Sequence, residues 1–429
     1  MNFDTIYNKK LNEKLYIGMH KSGLKVCVMP KNDYVKSYAV IGTDFGSINN
    51  RFIAFGENEE TSVPDGIAHF LEHKMFEQPD GTNVFESFAR YGANANAYTS
   101  FDITAYLFES SENVYENLEI LLDYVQKPYF TDENVLKEQG IIGQEIKMYD
   151  DEPSWRLMMN FLSSMYHNHP VRIDIAGSVD SISKITKDTL LKCYNTFYDM
   201  SNMALFIVGN VDPNEIGKIV EKNITSKKAP QGEIVRIFDD EPDSVMQSKV
   251  TQKLSVSVPS FMFGFKDTSC GKTGKELLKK SIELSIVSEI IFGKTGSLHN
   301  RLYNEGHILG DLETEVSCEK NYGFVAVSGE SQNPETVKEI IIEEIALLKE
   351  KGISKEDALR TKKALYGNYI KMFNSVSAIS HAFMSNIFKG ILPFDFFDVF
   401  DSITHEDIEK RLNEYFDETK TVLSVITPV

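Results

Sequence analysis

The sequence predicts an α+β fold built as two tandem, homologous domains, each an antiparallel-rich sheet with helices packed on it. Three observations carry that prediction. At 429 residues the chain is too long for one compact core. Its apolar residues switch between a two-residue period, as at Leu24, Val26 and Val28, and helical spacing, as at Leu118, Leu121, Leu122 and Val125. The order of elements also recurs. Ile185-Thr186-Lys187-Asp188 opens a helix ahead of the apolar run at Met203, and Ile403-Thr404-His405-Glu406 does the same ahead of Thr421. Both offsets are 218 residues (403 − 185 and 421 − 203). Ser111-Glu112-Asn113 before a helix at Val114 matches Ser331-Gln332-Asn333 before Val337, 220 residues on (331 − 111). Three registrations in one order favour a duplicated unit.

Taken in order, Leu24 to Val28 reads as a half-buried strand, and Tyr38 to Phe45 continues in the same style. A polar loop containing Glu57-Asn58-Glu59-Glu60 leads to Pro64-Asp65-Gly66, a helix start with Asp65 as the expected N-cap. Phe85, Phe88 and Ala89 mark a short helix ended by Tyr91-Gly92. Ala93 to Thr99 and Ile103 to Glu109 form two strands joined by a short turn, the second rich in β-forming residues. Val114 to Val125 is an amphipathic helix stopped by Pro128, and Val135 to Tyr149 is another. Met203 to Val208 is an apolar strand, and Asp212 to Lys222 a helix. Ser226 to Gly232 reads as the first domain's exit, prolonged by the acidic run Asp239-Asp240-Glu241-Pro242-Asp243, expected to be solvated. The expected division is 1–228, a linker at 229–245, and 246–429.

Composition narrows the function. Apolar and charged contents of 42% and 25% are ordinary for a globular protein. A formal charge of −18 argues against nucleic acid and anionic membrane surfaces, which reward clustered Lys and Arg. Cys27, Cys193, Cys270 and Cys318 stand far apart, which fits unpaired thiols in a reducing compartment. Neither an apolar leader in Met1 to Lys31 nor an 18-residue apolar stretch is present. A cytoplasmic location is the expectation.

The chemistry concentrates in Gly66-Ile67-Ala68-His69-Phe70-Leu71-Glu72-His73-Lys74. On a helix, His69, Glu72 and His73 stand at i, i+3 and i+4, which puts two imidazoles and a carboxylate on one face. Two such histidines can bind one zinc ion, and the intervening glutamate can act on water beside it; His-x-x-Glu-His is the inverzincin pattern. A catalytic zinc takes three protein ligands, so a further carboxylate is wanted. Glu138 and Glu145, seven residues apart on one helix face beside Ile141, Ile142 and Ile146, both qualify. One would ligate and the other would hydrogen-bond a ligand imidazole. Spacing does not choose between them. His167-Asn168-His169-Pro170 suits a structural loop, and Trp155 suits packing. Under the 218–220 offsets, the metal positions fall near Glu289, Gly293 and Lys363, so the second copy carries no metal set.

His69 to Phe76, then Tyr91-Gly92-Ala93-Asn94-Ala95-Asn96-Ala97-Tyr98-Thr99, then Glu138 to Glu145 resemble the insulinase–pitrilysin–mitochondrial processing peptidase superfamily, closest to its shorter, YmfH-like bacterial branch. Phe130-Thr131, His169-Pro170, Ile175-Ala176-Gly177 and Phe197-Tyr198 through Gly209 extend the resemblance over most of the first half. It implies the fold type shared by LuxS and the processing peptidases, with residues 1–228 as a zinc-bearing catalytic domain. It implies a metalloendopeptidase with one zinc on His69, His73 and Glu145, Glu72 as general base and Glu138 as the second acidic position. Ala95, Asn96, Ala97, Tyr98 and Thr99 match an edge strand to which a peptide substrate adds as a further strand, a mode that captures extended chains with little selectivity.

The resemblance also implies a dimer closing a chamber. Active members of a single type carry an Arg and a Tyr in the second domain, within a stretch like Leu-Arg-Glu-Lys-x-Gly-Leu-x-Tyr. Here that region reads Ser297 to Asp311, where Arg301 and Tyr303 are out of register. A second family chain is the expected source of those groups, in a homodimer or a heterodimer with a relative lacking the zinc motif. The alternatives are a non-catalytic, chamber-forming or peptide-binding subunit, and a zinc hydrolase acting on small molecules.

Overall fold

The computed structural model describes residues 1–225 and 232–429. The exit read at Ser226 to Gly232, and with it the start of the 229–245 linker, falls mostly outside those residues. The chain packs as two compact units. The first comprises residues 1–146, 174–238 and 370–388. Its strands are β1 (Phe3–Asn8), β2 (Glu13–Met19), β3 (Lys25–Pro30), β4 (Ser37–Thr43), β5 (Arg51–Ile53), β6 (Thr61–Ser62), β7 (Asn94–Thr99), β8 (Thr104–Ser110), β9 (Met203–Gly209) and β10 (Val235–Arg236). Seven of them make one sheet in the order β1-β2-β3-β9-β4-β8-β7, and β10-β5-β6 make a small second one. β3 and β9 run parallel, while the other neighbours in the large sheet are antiparallel.

Helices α1 (Ile67–Lys74), α2 (Val84–Arg90), α3 (Val114–Tyr124) and α4 (Asp132–Asp150) share one apolar cluster with the sheet. Leu71, Phe88, Leu121 and Ile142 meet Val28, Ile41, Phe108 and Ile207 there. The opposite face is covered by helix Val376–Ile387, where Phe383 stacks on Phe206 at 4.1 Å. A Cβ at Gly42 would stand 2.5 Å from Met384 Sδ, so that helix lies close against β4. Every residue of β4 and β9 is buried, as central strands covered on both faces must be.

The second unit comprises residues 147–173, 239–369 and 389–429. Its strands β11 (Lys249–Leu254), β12 (Ser260–Lys266), β13 (Glu313–Cys318), β14 (Gly323–Glu330) and β15 (Thr421–Pro428) lie in the order β11-β15-β12-β14-β13. The first pair is parallel and the rest antiparallel, which repeats β3-β9-β4-β8-β7 strand for strand. The sequence repeat is therefore a repeat of topology. Helices Lys187–Phe197 and His405–Tyr415 open on equivalent threonines, Thr186 and Thr404, each accepting the N–H three residues on.

Both units are interleaved along the chain, whereas the repeat led us to expect consecutive segments. α5 (Pro153–Met165) precedes the linker yet packs with the second sheet, its Phe161 ring 5.5 Å from Phe324 and its Leu157 carbonyl bonded by Ser424 Oγ at 2.9 Å. Helix Val376–Ile387 makes the reverse exchange. An amphipathic helix shows that it is buried, not which sheet buries it. In the acidic run Asp239, Asp240 and Asp243 are exposed as expected, and Glu241 departs from that expectation. Glu241 accepts the backbone N–H groups of His167, Asn168 and His169 at 2.7–2.9 Å and pairs with the buried Lys266 at 2.6 Å. Burial would raise its carboxyl, but these donors outweigh it and hold Glu241 at about 2.

Candidate metal centre

α1 begins at Gly66, which takes the N-cap position with φ 88° and no side-chain cap. Asp65, the expected cap, instead accepts from Asn50 Nδ2 at 2.8 Å. Glycine is required at this start, because φ is left-handed and a Cβ would meet the Ala176 carbonyl oxygen at 2.4 Å. From there Ile67, Ala68, Phe70 and Leu71 turn into the core. That anchoring leaves His69, Glu72 and His73 together, with the imidazole centroids 4.5 Å apart.

α4 supplies the carboxylates. Glu138, Ile142 and Ile146 are buried along it, while Ile141, expected beside them, faces solvent. The structure separates the positions of the two glutamates. Glu145 Oε1 lies 3.7 Å from His69 Nε2, and Glu145 Oε2 lies 3.6 Å from His73 Nε2. All three ligand atoms fall within 4.8 Å of one another, and no other such group occurs among the described residues. These separations are too long for hydrogen bonds. They approach the ~3.3 Å edge of a tetrahedron with bonds of about 2.0–2.1 Å, so two imidazoles and a carboxylate fit a zinc ion.

Glu138 stands behind that set. Its Oε1 is 3.0 Å from His73 Nδ1, which leaves Nε2 facing Glu145. Its Oε2 lies 3.8 Å from Nζ of Lys74, a fully buried lysine that also pairs with Glu77. Burial, then the His73 neighbour, pushes His69 down to about 3, so this imidazole is neutral. Burial also disfavours charge on His73, but Glu138, Glu72 and Glu145 together outweigh it and raise the group above its ordinary value.

Glu72 is buried, which pushes its carboxyl up, opposed by the Thr99 hydroxyl and by His73. Thr99 Oγ1 donates to Glu72 Oε2 at 2.7 Å. Thr99 ends β7, which pairs with β8 on one side and forms the border of the sheet on the other. Ala95 and Ala97 pack on the core, Tyr98 turns to the opposite face with its ring 5.5 Å from His381, and Asn96 Oδ1 accepts from the Ala97 N–H. The edge strand and helix α1 are thus joined through Thr99. Sequence reasoning missed that link and the Lys74 pair, because neither is signalled by spacing. Elsewhere, Arg301 pairs with Glu305 and Glu343 and Tyr303 is exposed, while the His167–Pro170 loop holds Glu241.

Residues 51–179 match the family model described as Insulinase (Peptidase family M16), and residues 184–365 the one described as Peptidase M16 inactive domain. The chain is 43% identical over 421 residues, 98% of each protein, to an uncharacterized zinc protease, YmfH, of Bacillus subtilis. A crystal structure of an M16-like peptidase from Alicyclobacillus acidocaldarius matches with TM-score 0.92 and 34% identity, covering 100% of this chain and 99% of that one. Pitrilysin shares the fold at 17% identity and TM-score 0.76, over 100% of this chain and 47% of its own.

Proposed function

The chain belongs to the insulinase (M16) peptidase family, and we propose that it is a zinc metalloendopeptidase cleaving peptides or small unfolded polypeptides. One observation carries the reading: the Nε2 atoms of His69 and His73 converge on the two oxygens of Glu145 at 3.7 and 3.6 Å. His69, His73 and Glu145 would hold the ion. When bound, zinc supplies Lewis acidity that makes water more acidic and polarises a peptide carbonyl. Glu72, buried beside this set, takes a proton from water and returns it to the departing amide nitrogen. A carboxylate whose proton affinity is raised by burial suits both transfers. Glu138 holds His73 in the tautomer that leaves Nε2 free. The border strand β7, through Ala95, Asn96, Ala97, Tyr98 and Thr99, aligns an extended substrate by main-chain hydrogen bonds.

The catalytic set lies in the first unit, and the second unit acts as its companion without a metal set among the described residues. A second family chain completes the enzyme, as a homodimer or a heterodimer. Support comes from pitrilysin, of whose chain this fold spans 47%, and from the second-half Arg and Tyr that stand out of register. No described helix is long and apolar enough to cross a membrane. Four unpaired cysteines suit a reducing compartment, and on that ground we place the protein in the cytoplasm. The test is Glu72→Gln. It should retain one zinc per chain by elemental analysis and lose peptide turnover by at least about 100-fold. Full activity in Glu72→Gln would refute the base assignment, and absence of zinc from the wild-type chain would leave the non-catalytic, chamber-forming reading.

A further inference from the structure

Glu72 can serve as a base only if one of its oxygens is presented to water while the carboxylate is kept from turning. The hydrogen bonds around it show how that is arranged. Oε2 accepts from Thr99 Oγ1 at 2.7 Å. A second hydroxyl, Thr104 Oγ1, lies 3.3 Å from Thr99 Oγ1 and 2.9 Å from the Phe45 carbonyl oxygen. A carbonyl can only accept, so the Thr104 proton is committed to Phe45. The Thr99 proton is then directed to Glu72, at the shorter of its two contacts. Thr99 and Thr104 face each other across the β7–β8 ladder, and Thr104 is fully buried. Thr99 is β-branched and stiff about χ1, so its hydroxyl is fixed by the strand that carries it.

We propose that Thr99 is a positioning residue for the reaction: its hydroxyl occupies Glu72 Oε2 and leaves Oε1 as the oxygen that exchanges protons. The inference rests on the peptidase reading given above. It adds that the base is registered to the border strand rather than to its own helix alone. A peptide lying along β7 and the carboxylate that acts on it therefore share one rigid frame, and small displacements of such groups are costly in rate.

The test compares Thr99→Val, which keeps the shape and removes the hydroxyl, with Thr99→Ser, which keeps the hydroxyl. Each is purified with any partner that accompanies the chain. Readouts are zinc per chain, kcat and KM on a quenched-fluorescent peptide of mixed sequence, and a crystal structure of Thr99→Val. Thr99→Val should lose about 10- to 100-fold in kcat, with KM within about twofold. Its zinc content should be unchanged and its Glu72 carboxylate turned away from the position it holds here. Thr99→Ser should recover kcat to within about threefold of wild type. The proposal is overturned if Thr99→Val keeps wild-type kcat, if its loss lies in KM, if Thr99→Ser is as impaired as Thr99→Val, or if Glu72 is unmoved in the variant crystal. Should the zinc-loaded wild type cleave no peptide, the peptidase reading fails, and the position of Glu72 in Thr99→Val still decides whether Thr99 holds it.

Discussion

Replacing Glu138 by Gln tests the arrangement behind the metal set. The variant keeps the volume of the side chain and a neutral oxygen for the 3.0 Å bond from His73 Nδ1. What it removes is the negative charge, which makes such a bond roughly twice as strong as a neutral one and raises the basicity of Nε2. Partners of this kind ordinarily contribute about 10- to 100-fold in metal affinity, equivalent to about 1.4–2.8 kcal/mol. Glu138 belongs in the upper part of that range, because it is only 8% exposed and water screens it little. Lys74 keeps its ion pair with Glu77 in the variant, so the fold should hold. The assay is competition for zinc between the metal-stripped protein and a chromophoric chelator of known affinity, with the thermal melt of the metal-free protein as control. Glu138→Gln should weaken zinc by about 30- to 100-fold and leave the melt of the metal-free chain nearly unchanged. An affinity within about threefold of wild type would show that Glu138 does not orient His73.

Three further outcomes follow from contacts described above. Lys74→Met removes a fully buried cation from between Glu77 and Glu138. It should destabilise the metal-free chain by about 3–5 kcal/mol in denaturant unfolding, the usual cost of breaking a buried pair on one side. Gly66→Ala puts a Cβ 2.4 Å from the Ala176 carbonyl at φ 88°. It should cost about 2–3 kcal/mol, seen as a melting temperature lowered by about 4–12 °C. Glu241→Gln tests the clamp on the His167–His169 loop. The native carboxyl sits at about 2, below its unfolded value, so its contribution is complete above the unfolded pKa and disappears as pH falls through the folded one. The gap corresponds to about 3 kcal/mol, which partial solvent access reduces to about 2. The stability difference between wild type and Glu241→Gln should therefore be about 2 kcal/mol at pH 7 and vanish between about pH 5 and pH 2. A difference independent of pH would contradict it.

Legibility differed from element to element for physical reasons. The helix of His69, Glu72 and His73 was readable because helical neighbours are set by local geometry, and the observed helix Ile67–Lys74 places them as the spacing requires. The duplication was readable because turn and cap chemistry is local too, so Thr186 and Thr404 announce equivalent helices 218 residues apart (404 − 186). Asp65 misled because its side chain had a competing partner in Asn50, while Gly66 met a backbone constraint set by distant Ala176.

The residue types and local periods of the chain by themselves determined a duplicated α+β fold, a helix with His69, Glu72 and His73 on one face, and a pair of candidate carboxylates on a second helix. Only the tertiary structure showed where each carboxylate stands, Glu145 against both imidazole Nε2 atoms and Glu138 against His73 Nδ1. Glu138 and Glu145 share one face of α4, so nothing local distinguishes them. Their distances to His73 and His69 depend on how two helices 65 residues apart pack on one sheet (138 − 73). The same holds for the exchanged helices, for Lys74 and for Thr99. Burial by a particular neighbour, or a hydrogen bond across 27 residues, depends on the closed three-dimensional chain and leaves no period in the sequence.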